Sequence, residues 1–338
     1  MSKIEISIDN KSIISSTNTS VLEAAIKAGL YIPSLCYHPE LSVFEGCRVC
    51  MVEINGELLT SCRTLVEEGM IIFTDSPAIS TFRKMAIEMI LTHHNQDCQS
   101  CTKNNACDLQ KVSTFIGVDE ERLSLLRQGL GQNASNLPVD DSNPFFNRDF
   151  SKCISSLCGT CVRTCDEING VSALVFESNS SNTINAFGGG QLFESKCESC
   201  GECLERCPTG AMHKKEFKLP SYEVRTICPY CGTGCGIFYG VRGDEIVSAR
   251  GDSESPVNKG HLCVKGRFGF DFVNHKNRLT TPLIKKNGEF VKTSWNEALD
   301  LIVKKINESI EKYGCESFGG LSSAKCTNED NYLFQKLL

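Results

Sequence analysis

Cysteines dominate the chemistry that this sequence could perform. All of its 21 cysteines except Cys315 and Cys326 fall into sets with the spacing of metal ligands. Thiolates are soft ligands, which suit iron–sulfur clusters and zinc better than hard cations. The stretch CPYCGTGCG has the spacing C-x2-C-x3-C and is followed by a distant fourth cysteine, which predicts an iron–sulfur cluster. Its ligands would be Cys228, Cys231, Cys235 and Cys263.

The composition is otherwise that of a globular protein. Of the 338 residues, 41% are hydrophobic and 22% are charged, and the length allows two to four modules. The net charge of −6 and the lack of a basic stripe argue against nucleic acid as a partner. No apolar run reaches the roughly 18 residues of a membrane span, and no secretory signal is visible. We therefore expect a cytoplasmic protein with no membrane span, in which thiols stay reduced.

Residues 1–78 are predicted to form a β-grasp domain. Residues 2–17 alternate apolar and polar side chains around Asp9-Asn10, which predicts a hairpin. Ser20 and Glu23 form a capping box that opens a helix ending at Gly29. Two further strands are expected, from Cys50 to Ile54 and from Met70 to Thr74.

Four cysteines of this domain have the spacing C-x10-C-x2-C-x11-C. The segment LCYHPELSVFEGCRVCMVE resembles the plant-type 2Fe-2S ferredoxin domain at the front of complex I-like and formate dehydrogenase-like electron-transfer subunits, and this resemblance implies a 2Fe-2S cluster. A zinc site would use the same thiolates, although zinc ribbons favour two separated C-x2-C pairs. The ligands in either case are Cys36, Cys47, Cys50 and Cys62.

Residues 79–118 carry the pattern H-x3-C-x2-C-x5-C after a helix that begins at Ser76-Pro77. Its apolar face is predicted to contain Ile79, Phe82, Met85, Ala86, Met89 and Ile90. From spacing alone, a histidine at a helix end is more often a simple cap than a ligand. The resemblance to the His/Cys-ligated module of the same subunits implies a 4Fe-4S cluster, and leaves His93 as a surface or packing residue. The implied ligands are His94, Cys98, Cys101 and Cys107.

Residues 119–141 are predicted to be a linker that includes the charged helix DEERLSLLRQ, and residues 142–219 a bacterial-type two-cluster ferredoxin domain. The run C-x2-C-x2-C-x3-C-P is typical of that domain, in which the fourth cysteine of each run binds the other 4Fe-4S cluster. The first run departs from the pattern, because four residues separate Cys153 from Cys158. The predicted ligand sets are Cys153, Cys158, Cys161 and Cys207 for one cluster, and Cys165, Cys197, Cys200 and Cys203 for the other.

Residues 220–278 are predicted to form another iron–sulfur domain, and residues 279–338 the start of a further domain. The strand-like YEVRTI leads to the CPYCGTGCG loop, whose glycines allow the backbone to approach a cluster, and a hairpin follows. The segments CPYCGTGCGI, PVNKGHLCVKGRFGFDFVNHKNRLTTPLI and SWNEAL look like the 4Fe-4S domain of molybdenum or tungsten bis-pterin oxidoreductases, specifically formate dehydrogenases. That resemblance implies a 4Fe-4S cluster and an electron-relay role for Lys265 between the cluster and a pterin. A solvated lysine beside an anionic cluster is the simpler alternative.

The last 60 residues or so are predicted to begin a molybdopterin oxidoreductase domain. Ser294 and Glu297 indicate a second capping box. Cys315 and Cys326 have no partners at ligand spacing and are expected to be small buried side chains. The tail GGLSSAKCTNEDNYLFQKLL also resembles formate dehydrogenases. The apolar face of the helix after the capping box is expected to be buried, and it contains Leu299, Ile302, Val303, Ile306 and Ile310.

Together these motifs predict an α+β, multi-domain electron-transfer protein. The resemblance implies the N-terminal region of a formate dehydrogenase catalytic subunit, with one 2Fe-2S cluster and four 4Fe-4S clusters. Its partner would be a flavin/NAD- or ferredoxin-linked iron–sulfur subunit, and the complete enzyme would oxidise formate to CO2 at a Mo or W bis-molybdopterin guanine dinucleotide. The alternatives are a complex I-like NADH dehydrogenase subunit or a hydrogenase iron–sulfur subunit that only carries electrons.

No catalytic residue of the pterin centre is recognised before Leu338. We therefore expect the 338 residues to be a truncated product or a fragment, able at best to transfer electrons. The pterin cofactor would be held by the full-length enzyme and not by this part alone.

Overall fold

A computed structural model describes residues 3–130, 137–176 and 184–338. Residues 131–136 of the predicted linker and residues 177–183 lie outside these ranges. The chain divides into two compact units, Met1–Glu216 and Phe217–Leu338. The first unit therefore contains the first four predicted ligand sets, and the second contains the fifth.

The first unit begins with a five-stranded sheet in the order β2-β1-β5-β3-β4. β1 and β5 pair in parallel, whereas the other neighbours are antiparallel. The predicted hairpin turn is present, and Asp9 and Asn10 both have positive φ. The elements are β1 (Lys3–Ile8), β2 (Lys11–Ser16), α1 (Val21–Lys27), β3 (Met51–Ile54), β4 (Glu57–Thr60) and β5 (Ile71–Phe73).

The capping box at the start of α1 is present, with the Ser20 hydroxyl accepting from the Glu23 amide and the Glu23 carboxylate accepting from the Ser20 amide. Apolar side chains of α1 pack on the sheet around Ile8 and Ile72. β4 has no counterpart among the predicted strands. The turn that leads into it is Asn55-Gly56. Asn-Gly is typical of tight hairpins because both turn positions require positive φ, and both residues adopt it here.

Three helices follow: α2 (Pro77–Thr92), α3 (Asp108–Ile116) and α4 (Glu120–Leu130). The predicted apolar face of α2 is confirmed at Ile79 and Ile90, which are buried, and wrong at Met85 and Met89, which are exposed. The helix also buries two charged residues whose partners lie on neighbouring elements. Arg83 donates to the Met51 carbonyl oxygen (2.7 Å), and Glu88 pairs with Arg122 of α4 (2.9 Å). Apolar periodicity alone cannot reveal such partners.

The remainder of the first unit contains short elements. One sheet has the order β10-β7-β6, and β8 pairs with β9. A π-helical turn over Thr164–Ile168 continues α5. The elements are β6 (Val139–Asp140), β7 (Phe146–Asp149), α5 (Thr160–Arg163), β8 (Leu174–Phe176), β9 (Ile184–Ala186), α6 (Glu202–Glu205) and β10 (Met212–Lys214).

The second unit contains a three-stranded antiparallel sheet, a two-stranded hairpin and three helices. The predicted strand before Cys228 and the hairpin after it are both present as β11–β13. The elements are β11 (Tyr222–Ile227), β12 (Gly236–Arg242), β13 (Glu245–Gly251), α7 (Val264–Phe268), β14 (Leu283–Lys286), β15 (Glu289–Lys292), α8 (Trp295–Tyr313) and α9 (Asn328–Leu337).

Three expectations for this unit are wrong. None of the α8 side chains is buried, and Leu299, Ile302 and Val303 are each more than half exposed. Cys315 is exposed and Cys326 is only partly buried. The N-cap bond from the Glu297 amide to Ser294 forms, but the Glu297 carboxylate accepts from the Thr293 hydroxyl and Lys286. The apolar stripe of α8 is present, but the described residues provide no surface that covers it.

Among the described helices, none combines the length and apolar character that a membrane crossing requires.

Candidate iron–sulfur centres

The four cysteines of the β-grasp domain lie together in its interior, each no more than 3% exposed. They come from the loop after α1, the turn before β3 and the turn after β4. A hydrogen bond from Cys47 lowers the pKa of Cys36 to about 6, although burial opposes this. In the same way, a hydrogen bond from Cys62 lowers the pKa of Cys50 to about 7. The same two hydrogen bonds raise the pKa of Cys47 and of Cys62, so each pair favours one thiolate, the form that binds metal.

The loop that presents Cys47 and Cys50 has an unusual backbone. Glu45 and Arg48 both have positive φ (59° and 53°), a conformation that side chains other than glycine rarely adopt. Gly46 is closely packed, since an added Cβ would lie 2.5 Å from the Leu157 carbonyl oxygen. This part of the loop therefore fits directly against the two-cluster region.

His94 lies just beyond the end of α2 and is 9% exposed. Its Nδ1 is buried without a hydrogen-bond partner in the described part of the chain. Burial lowers the pKa of His94 to about 4, which keeps the imidazole neutral at physiological pH. A neutral ring with one buried, unpaired nitrogen suits a metal ligand. His94 lines one pocket together with Cys98 and Cys107.

Cys101 is close enough to act electrostatically on Cys98 and Cys107, and it also contacts a distant loop. An added Cβ at Gly210 would lie 2.4 Å from the Cys101 Sγ. Nearby, Lys103 Nζ donates to the Cys207 carbonyl oxygen (2.6 Å), and the Asp108 amide donates to the Pro208 carbonyl oxygen (3.0 Å). The His/Cys set therefore lies against the loop that carries Cys207.

We expect His94→Ala to remove about four of roughly 18 iron atoms from the reconstituted protein, because one cluster would lose its nitrogen ligand. His93→Ala is a matched control, since His93 is the exposed neighbour. His94→Cys should restore the iron and lower the midpoint potential, because a thiolate adds negative charge. Iron analysis and paramagnetic resonance would check this. Full iron content in His94→Ala would contradict ligation by His94.

Two cavities in the ferredoxin-like region are lined by the predicted crossover sets. One is lined by Cys153, Cys158, Cys161 and Cys207, together with apolar residues such as Ile154 and Met212. The other is lined by Cys165, Cys197, Cys200 and Cys203. In both, a cysteine from one sequence run joins three from the other.

The four-residue gap after Cys153 does not displace it from the first cavity. Ser155–Leu157 form a 3₁₀ turn, and Ser155 has a positive φ of 48°. This tight turn takes up the extra residues. Burial raises the pKa of Cys153 to about 11 and that of Cys158 to about 12. Both cysteines therefore depend on a positive charge such as bound iron to become thiolates.

The cysteines of the second unit also cluster. Burial raises the pKa of Cys228, and the nearby Cys263 and Cys231 thiolates raise it further. Burial also raises the pKa of Cys235, and the nearby Cys228, Cys231 and Cys263 thiolates raise it further. The CPYCGTG loop packs against the tail, since the Gly232 amide donates to the Ala324 carbonyl oxygen (3.1 Å). Lys265 acts electrostatically on Cys231, which is consistent with a position beside the cluster.

Several residues near these sets were not identified from the sequence. Their partners are distant in the sequence, so no short sequence motif indicates their positions near the sites. Lys325 acts on the Cys231 thiol as Lys265 does. The other residues of this kind are Lys103, Arg163 and Gly210.

The donor sets fit iron–sulfur clusters in their chemistry. Each offers four soft donors, or three and an imidazole, and all of the cysteines except Cys263 are buried or partly buried. Within the described ranges, no three His, Cys, Asp or Glu side chains converge on one point that a single metal ion could occupy.

Five family models match consecutive parts of the chain. Residues 1–77 match the 2Fe-2S iron–sulfur cluster binding domain, and residues 83–122 match the NADH-ubiquinone oxidoreductase-G iron–sulfur binding region. Residues 152–211 match the 4Fe-4S dicluster domain. Residues 222–275 match the molybdopterin oxidoreductase Fe4S4 domain, and residues 278–338 match molybdopterin oxidoreductase.

Similar proteins bear several names. The chain is 34% identical to the G 2 subunit of NADH-quinone oxidoreductase of Rhizobium meliloti, over 99% of this chain and 39% of that protein. It is 33% identical to the alpha subunit of NADPH-Fe(3+) oxidoreductase of Geobacter sulfurreducens, with the same coverage. It is 31% identical to the Bacillus subtilis protein named "Putative formate dehydrogenase YrhE", over 99% of this chain and 38% of that protein. The chain thus spans about two fifths of the length of these relatives.

Among solved structures, the chain resembles an NAD+-reducing [NiFe]-hydrogenase in the H2-reduced state. The TM-score is 0.54 and the sequence identity 29%, over 65% of this chain and 90% of that one.

Proposed function

Because the chain joins an NADH-ubiquinone oxidoreductase-G type iron–sulfur region to the iron–sulfur domain and first part of a molybdopterin oxidoreductase, we propose that it relays electrons in a formate dehydrogenase. The complete enzyme would oxidise formate to CO2 at a Mo or W bis-molybdopterin guanine dinucleotide. The electrons would leave through a flavin/NAD- or ferredoxin-linked partner subunit, and the setting would be cytoplasmic.

The observation that carries the relay is the contact between the loops that hold the ligand sets of the first unit. Cys158 Sγ lies 3.8 Å from the Leu35 carbonyl oxygen, beside Cys36. Cys107 Sγ lies 3.6 Å from the Pro208 carbonyl oxygen, beside Cys207. The Cys153/Cys158/Cys161/Cys207 set therefore borders both the β-grasp set and the His/Cys set. This supports its role as the junction of the relay.

Support for formate comes from the second unit. The tail SSAKCTNEDNY, which resembles formate dehydrogenases, packs through Ala324 against the loop that carries Cys231. Lys265 lies near the same thiol, and we propose it as the relay residue towards a pterin. When bound, the clusters would supply one-electron redox chemistry, and the protein would position them and tune their potentials.

Iron analysis and substrate assays test the proposal. The reconstituted chain is expected to hold roughly 18 iron atoms, from one 2Fe-2S and four 4Fe-4S clusters. Stoichiometric zinc with no paramagnetic signal would contradict it. In the complete enzyme proposed above, formate is expected to reduce the clusters. If NADH or NADPH reduced them and formate did not, the chain would instead be an electron-carrier subunit of a complex I-like or hydrogenase-like assembly.

The second candidate is an electron-carrier subunit of a complex I-like or hydrogenase-like assembly. It is favoured by the match of residues 83–122 to the NADH-ubiquinone oxidoreductase-G region and by the likeness to the NAD+-reducing hydrogenase. The relay through the first unit would be the same in both cases. The two candidates differ in what supplies the electrons.

A further inference from the structure

Arg163 is a buried guanidinium at the contact between two predicted cluster sites. It lies at the end of α5, between Cys161 and Cys165 in sequence, and is 7% exposed. Its side chain forms hydrogen bonds with other residues and not with these two cysteines. Its Nη2 donates to the Cys36 carbonyl oxygen (2.6 Å) and to the Cys158 carbonyl oxygen (3.1 Å). One nitrogen atom thus bonds a ligand residue of each site.

Further contacts fix the orientation of this side chain. Nη1 donates to the Ser42 carbonyl oxygen, in the same loop as Cys36. The guanidinium carbon lies 5.1 Å from the centre of the Phe44 ring, and Phe44 stacks on Phe176 of β8. Nε has no hydrogen-bond partner among the residues that the structure describes. The side chain therefore has little freedom to move away from the contact.

The charge of Arg163 is not neutralised by a carboxylate through these bonds. Each of its hydrogen bonds goes to an uncharged oxygen, the weakest being to the Thr160 hydroxyl (3.5 Å). A buried cation is costly unless a negative charge compensates it. Thiolate-bound clusters would provide that negative charge on both sides.

We propose that Arg163 is a positioning residue that holds the Cys36 and Cys158 loops together and supplies one positive charge shared by the two cluster sites. This rests on the proposed electron relay. Reduction adds an electron to a site, and a nearby cation in a medium of low dielectric stabilises that state. Arg163 would thereby raise the potentials of both centres.

The test uses Arg163→Gln, which keeps a donor of hydrogen bonds and loses the charge, and Arg163→Lys, which keeps the charge. Redox titration followed by paramagnetic resonance would report the 2Fe-2S and 4Fe-4S signals separately by their temperature dependence. In Arg163→Gln, the ratio of reduced to oxidised form at a fixed potential is expected to fall about tenfold at both centres, which is about 59 mV for one electron. In Arg163→Lys, we expect less than a threefold change.

Arg63→Met is the control, because Arg63 follows Cys62 in sequence but its side chain is solvent-exposed. It should change neither ratio by more than about twofold, since water screens exposed charges. Unchanged potentials in Arg163→Gln, with a lower unfolding temperature in both Arg163 variants, would overturn the proposal and leave a packing role.

If Arg163→Gln does not assemble its clusters, Arg163→Lys still tests the proposal, because a tenfold shift there would contradict the role of charge. Failure of the wild-type chain to bind iron would instead overturn the proposed relay. The two failures are therefore distinguishable.

Discussion

Replacing Cys165 and Cys197 together is expected to remove no more iron than replacing either one alone, about four atoms in each case. The two residues are 32 positions apart in sequence but line one cavity with Cys200 and Cys203. Once one ligand is lost, the other has no cluster left to bind. Iron analysis of both single alanine variants and the double variant would measure this non-additivity.

The matched comparison is the double variant Cys161→Ala with Cys165→Ala. These cysteines are four positions apart, but they line different cavities. Their effects should add, with a loss of about eight iron atoms. Cys326→Ala should lose none. If the Cys161/Cys165 pair lost four and the Cys165/Cys197 pair lost eight, each run would bind its own cluster and the crossover would be wrong.

Gly251→Ala is expected to destabilise the second unit by about 3 kcal/mol and to remove the cluster bound by the Cys228 set. An added Cβ at Gly251 would lie 1.9 Å from the Gly260 carbonyl oxygen, and backbone atoms cannot rotate away as a side chain can. The segment from Gly251 to Gly260 leads to Cys263. Asn258 fixes this segment to the start of β12, accepting from the Gly236 amide (2.8 Å) and donating to the Gly236 carbonyl oxygen (3.1 Å).

Thermal unfolding and iron content of the variant would check this prediction. Gly319→Ala is the control in the same unit, because a Cβ there would meet no described heavy atom within 4 Å. It should change the free energy of unfolding by no more than about 0.5 kcal/mol. Equal stability and iron content in the two variants would show that the close approach at Gly251 is tolerated.

Local elements were predictable where one short-range rule decides them. The Asp9-Asn10 hairpin, the capping box at Ser20 and the strand before Cys228 all follow from residues within a few positions of one another. Burial was less predictable, because it depends on what a helix face meets. Arg83 and Glu88 are buried by partners on other elements, whereas the apolar stripe of α8 meets no covering surface in the described part of the second unit.

The composition of the candidate sites is predicted by the sequence, since the spacing of cysteines limits which thiols one loop can present to one cluster. The crossover sets are predicted in the same way, because the C-x2-C-x2-C-x3-C-P run is specific. Which sets border one another follows only from the folded structure. Lys103 bonds the Cys207 carbonyl oxygen, and Arg163 bonds those of Cys36 and Cys158. Lys103 and Cys207 are more than 100 positions apart in the sequence, and so are Arg163 and Cys36. Only the packing of the folded chain brings these pairs together.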